Sequence, residues 1–89
     1  MAAYTIRVQL KGDPTYEQYE KLHDLMQKLG YGRTVTGKTT RDLPHATYYG
    51  QSSDDIGTVR DKVQAKVKAQ VQDKILVFVA QTETWAMGW

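Results

Sequence analysis

Cysteine is absent from the 89 residues, proline occurs twice and phenylalanine once. Without cysteine there is no disulfide framework and no thiolate metal site. No apolar run approaches the roughly 18 residues that a membrane-spanning helix needs. The start, Met1-Ala-Ala-Tyr4, has neither a basic region nor an apolar signal core, so the expected compartment is cytoplasmic. Charge of one sign is also scarce. Twelve Lys and Arg stand against ten Asp and Glu, a net +2 that says little about a polyanionic partner. What remains, 40% hydrophobic and 25% charged, is ordinary globular composition. No linker, low-complexity segment or repeat interrupts it, so residues 1–89 are expected to form one domain.

Tyr4-Thr-Ile-Arg-Val-Gln-Leu10 alternates apolar and polar without a fault, the pattern of a half-buried strand. Gly12-Asp13-Pro14-Thr15 breaks it. Asp13 with Pro14 at the first helical position, or Thr15 with Gln18, starts a helix. Tyr19, Leu22, Met26 and Leu29 form its apolar stripe, and Gly30 is placed to end it. Residues 33–36 read as a short strand, 37–42 as a basic hairpin loop and 43–49 as the return strand, with Pro44 near its start. A second helix is expected with Ser52 or Ser53 as cap and Ile56, Val59, Val63 and Val67 inside. Lys74-Ile-Leu-Val-Phe-Val-Ala80 is continuously apolar and reads as a strand buried on both faces.

The order β-α-β-β-α-β with right-handed crossovers predicts an α+β, ferredoxin-like sandwich: a four-stranded antiparallel sheet in order 4-1-3-2 with two helices on one face. The fourth strand would then be an edge with an apolar face left over. The tail from Gln81 to Trp89, or a second copy of the chain, must cover it. Trp85, Trp89 and Phe78 are the residues expected at such an interface, and a homodimer is the expected state.

Several constellations have chemistry to offer. Gly32-Arg-Thr-Val-Thr-Gly37-Lys38-Thr39 fits G-x-x-x-x-G-K-[ST]. A phosphate loop needs a helix after the lysine, and Pro44 prevents one, so no nucleotide is expected here. Asp13 by itself makes no magnesium site, and neither metal nor cofactor is expected. His23 borders the first helix's stripe. His45 on the open sheet face near Arg7 or Tyr49 is the candidate proton carrier, with Arg33 to stabilise a pentacoordinate phosphate. Arg7, Tyr49, Lys38 and Arg41 would form a basic and aromatic track for RNA across sheet and hairpin.

Five segments stand out together: Tyr4 to Leu10, Tyr19-Glu-Lys-Leu-His23, Gly30-Tyr-Gly-Arg-Thr-Val35, Leu43-Pro-His-Ala-Thr-Tyr48 and the terminal Trp. With them the chain resembles a family of small bacterial proteins related to the GhoS-type endoribonuclease antitoxins, whose fold is like that of the Cas2 and VapD ribonucleases. The resemblance implies the sandwich fold, RNA as partner and a toxin–antitoxin setting. It places no catalytic motif residue by residue. The strand-end aspartate of that fold has its nearest counterpart in Asp13, displaced past Lys11 and Gly12.

Overall fold

The computed structural model describes residues 1–36, 40–43 and 45–83. Its elements are β1 (Ala2–Leu10), α1 (Tyr16–Lys28), β2 (Thr34–Thr36), β3 (Thr40–Asp42), β4 (Thr47–Ser52), α2 (Ile56–Gln70) and β5 (Ile75–Gln81). β1 is the middle of a three-stranded antiparallel sheet in order β4-β1-β5. Its alternation sorts the two faces. Tyr4, Ile6, Val8 and Leu10 are buried with Leu22, Leu25 and Met26 of α1 and Val59, Val63 and Val67 of α2. Thr5, Arg7 and Gln9 point to the open face.

The four-stranded sheet in order 4-1-3-2 is not what forms. β2 leaves the main sheet and pairs with β3, a strand in the stretch expected to be hairpin loop. A single bridge, Gly32 to Tyr49, ties this ladder to β4. The reason lies in residues 43–47. Leu43 N–H still donates to Arg33 O at 2.7 Å, whereas Gly32 already pairs with Tyr49. The chain between them must leave one ladder and join another. Ala46 takes a left-handed φ of 58°. From there Ala46 O accepts from Val8 N–H at 3.1 Å, and β4 begins at Thr47 against Arg7.

Local chemistry settles the helix ends. Thr15, not Asp13, caps α1: its side chain accepts from Gln18 N–H while Gln18 reaches back to the Thr15 N–H. At the other end Gly30, with φ 97°, donates to Gln27 O and Tyr31 N–H donates to Met26 O, the paired bonds of a Schellman stop. The Gly30 carbonyl then packs so closely on β4 that a Cβ at Gly50 would meet it, and would lie 2.7 Å from the Tyr31 ring. α2 is capped by Asp55, which accepts from Thr58 N–H. Ser52, one of the two expected caps, instead accepts from Asp54 N–H. Ile56, the first helical residue, stays exposed.

β5 is not buried on both faces. Ile75, Val77 and Val79 pack on the core, while Leu76 and Phe78 are 54% and 62% exposed. Among the described residues β5 is the sheet's edge strand, with a neighbour on one side only. Among the described residues no helix is long and apolar enough to cross a membrane.

Candidate functional site

The edge of β1 is open beyond the start of β4 at Thr47. Arg7, Val8 and Gln9 line a cleft of about 270 Å³ there, closed by Tyr19 of α1 and by His45 and Ala46 of the turn. α1 presents Tyr19 and His23 on one side, because residues four apart share a helix face. The turn brings His45 against them. The His45 ring centre lies 4.4 Å from that of Tyr19 and 6.0 Å from that of His23, the latter edge-on at 89°.

Behind this pair the core is polar at one point. His23 Nδ1 and the Tyr48 hydroxyl share a 2.7 Å hydrogen bond, with His23 8% exposed and Tyr48 fully buried. Burial of its ring holds the His23 imidazole below the ordinary value of 6.5. The Arg33 guanidinium and His45 push the same way, while Glu20 and Asp24 oppose them. Burial also raises the Tyr48 phenol well above its usual range. His23 and Tyr48 are therefore a neutral hydrogen-bonded pair at pH 7, and His45 in front of them is exposed.

The other candidates fall as follows. Arg7 is exposed on the open face and also lines the cleft, so it joins His45. Arg33, next to the Gly32 bridge to β4, is exposed, and its charge acts on His23. Tyr49 is half-buried on the open face, opposite Thr5. Phe78 faces the same side, directly across from Arg7. Arg41 stands in β3 opposite Val35, its side chain outside the described set. Lys38, Trp85 and Trp89 lie outside the described residues. The Gly32–Thr39 motif holds strand β2 between its glycines and is followed by β3 rather than a helix. Asp13 is exposed in the bend before α1 and is not among the cleft-lining residues. Among the described residues no group of three or more His, Asp or Glu side chains assembles as metal ligands.

His45 is not on the strand of the open face, as its parity with Thr47 and Tyr49 suggests; it is in the turn ahead of that strand. Sequence reasoning passed over Tyr19, His23 and Tyr48 as site residues. The signal was present in Tyr19-x-x-x-His23, a helical i,i+4 pair of polar-tipped rings on an otherwise aliphatic stripe. Comparison with protein-family models, with curated proteins and with solved structures gave no match.

Proposed function

We propose that this protein binds RNA and acts on its phosphodiester at the Arg7–His45 cleft. The observation that supports this reading is that Arg7 and the exposed His45, distant in sequence, line one cleft with the ring of Tyr19. The chemistry asked of them is modest. Arg7 holds the phosphate and offsets the charge that grows on it. His45 takes the proton of the ribose 2′-hydroxyl, the 2′-oxygen attacks phosphorus, and the bond to the 5′-oxygen breaks as that oxygen takes a proton from water. His23, kept neutral by burial, positions His45 by edge contact and is not itself the acid. The resemblance to endoribonuclease antitoxins points to the same substrate.

The test uses a labelled single-stranded RNA. The wild type should retard it at low salt and release it as salt rises. Arg7→Ala should lower the slope of log K against log[salt] by about 0.7 for one lost phosphate contact. His45→Ala should keep binding and lose about 10²-fold or more in cleavage to 2′,3′-cyclic ends. No retardation of any RNA at low salt refutes the reading.

A second reading rests on Leu76 and Phe78, both exposed on the edge strand. In it the chain is a homodimeric interaction module whose copies meet through β5 and the tail. Sedimentation of the full chain and of a chain ending at Thr82 decides between a dimer and a monomer.

A further inference from the structure

The open face of the sheet has a composition unlike the rest of the surface. Of the ten acidic residues of the chain, Asp42 stands in β3 and the other nine on helices, in bends or in short connecting segments, and no outward position of β1, β4 or β5 carries a carboxylate. Arg7 is the charge on this face, and Lys11 and Lys74, joined by a 3.0 Å backbone bond, continue its basic character at one end. Phe78, the sole phenylalanine, is 62% exposed on its β5 edge. The register sets Phe78 directly opposite Arg7 and Arg7 opposite Thr47, so ring, cation and the start of the His45 turn form one row across three strands.

We propose that Phe78 is a base-stacking residue, and that the ligand of this face is an unpaired nucleobase of single-stranded RNA whose phosphate lies on Arg7. The proposal rests on the RNA reading above and names the class of RNA. Neighbouring strands are about 4.8 Å apart, a distance that the base and phosphate of one nucleotide span. An exposed ring on a face without carboxylates suits a polyanion with its bases turned out. A duplex keeps its bases stacked inside and offers such a ring nothing. Because every base has a π-face, the preference is for unpaired RNA over paired RNA and not for one sequence.

The experiment measures binding of the full chain to an unstructured oligonucleotide and to a hairpin of equal length, by fluorescence anisotropy. A 2-aminopurine in the unstructured strand reports stacking. The expected results are tighter binding of the unstructured strand, and quenching of 2-aminopurine by the wild type. Phe78→Ala should weaken binding about 5- to 150-fold, the loss of one stacked base, and abolish the quenching. Phe78→Trp should retain both. Sedimentation at the same concentrations should give the same mass for wild type and Phe78→Ala.

If the wild type binds, Arg7→Ala weakens it and Phe78→Ala does not, this inference fails and the RNA reading stands. A wild type that binds no RNA overturns both. A wild-type dimer that Phe78→Ala converts to monomer overturns the inference, because the face then belongs to a second copy of the chain.

Discussion

Replacing Tyr48 by phenylalanine removes one oxygen atom from the core and leaves the ring in place. That oxygen is the partner of His23 Nδ1 at 2.7 Å, in a place where Tyr48 is fully buried and His23 nearly so. The loss strands a buried polar nitrogen, which costs about 1–3 kcal/mol. A chain of this length gains roughly 0.19 kcal/mol per kelvin of unfolding entropy at its midpoint, so the expected fall in Tm is about 5–16 °C. Thermal and urea unfolding followed by far-UV circular dichroism measure it, with the urea m-value unchanged. His23→Leu alone strands the Tyr48 hydroxyl instead. The double variant strands neither, so it should be less damaged than the two single effects summed, with a coupling of about 0.5–3 kcal/mol. If Tyr48→Phe stays within about 0.5 kcal/mol of the wild type, or the two changes simply add, the pair is not the buried polar link described.

The same histidine sets a pH response. Its folded pKa is lowered, so below the ordinary value of 6.5 the unfolded chain binds the extra proton more readily. The stability from keeping His23 neutral is present above pH 6.5 and is lost as pH falls below it. Urea midpoints at pH 7.5 and 5.5 should show a drop that His23→Leu reduces; an equal drop in both would assign it elsewhere. Gly50→Ala should destabilise by more than about 1 kcal/mol, since the new Cβ meets the Gly30 carbonyl and the Tyr31 ring. A midpoint unchanged from wild type would show that α1's end can retreat from β4. At Ala46, whose φ is 58°, glycine should be tolerated within about 1 kcal/mol and valine should cost more than that. Equal stabilities for the two variants would refute a left-handed residue at this place.

The legible parts of the fold were those in which one face is wet and one dry. β1 could be read residue by residue because its alternation is unbroken from Tyr4 to Leu10. α1 announced itself by its stripe, and Gly30 by its position after it. The start of α2 turned on competition among adjacent polar residues, where Asp55 displaced Ser52 and Ser53 as cap. The middle of the chain was harder for a different reason. Residues 34–52 include three short strands, and the start of the third follows a left-handed alanine that no propensity announces. The site inherited that difficulty. Arg7 was readable as outward because β1 was. His45 was misplaced because a strand was read through the turn that holds it.

That turn also determines what a ligand would have to do on arrival. Ala46, the residue directly after His45, is held by its carbonyl to Val8 N–H, and the His45 ring rests 4.4 Å from that of Tyr19. A ring seated in this way, next to an anchored backbone, has less freedom left to surrender. The ordering of His45 against Tyr19 is thus a cost met during folding, and a molecule entering the cleft encounters an imidazole already in position.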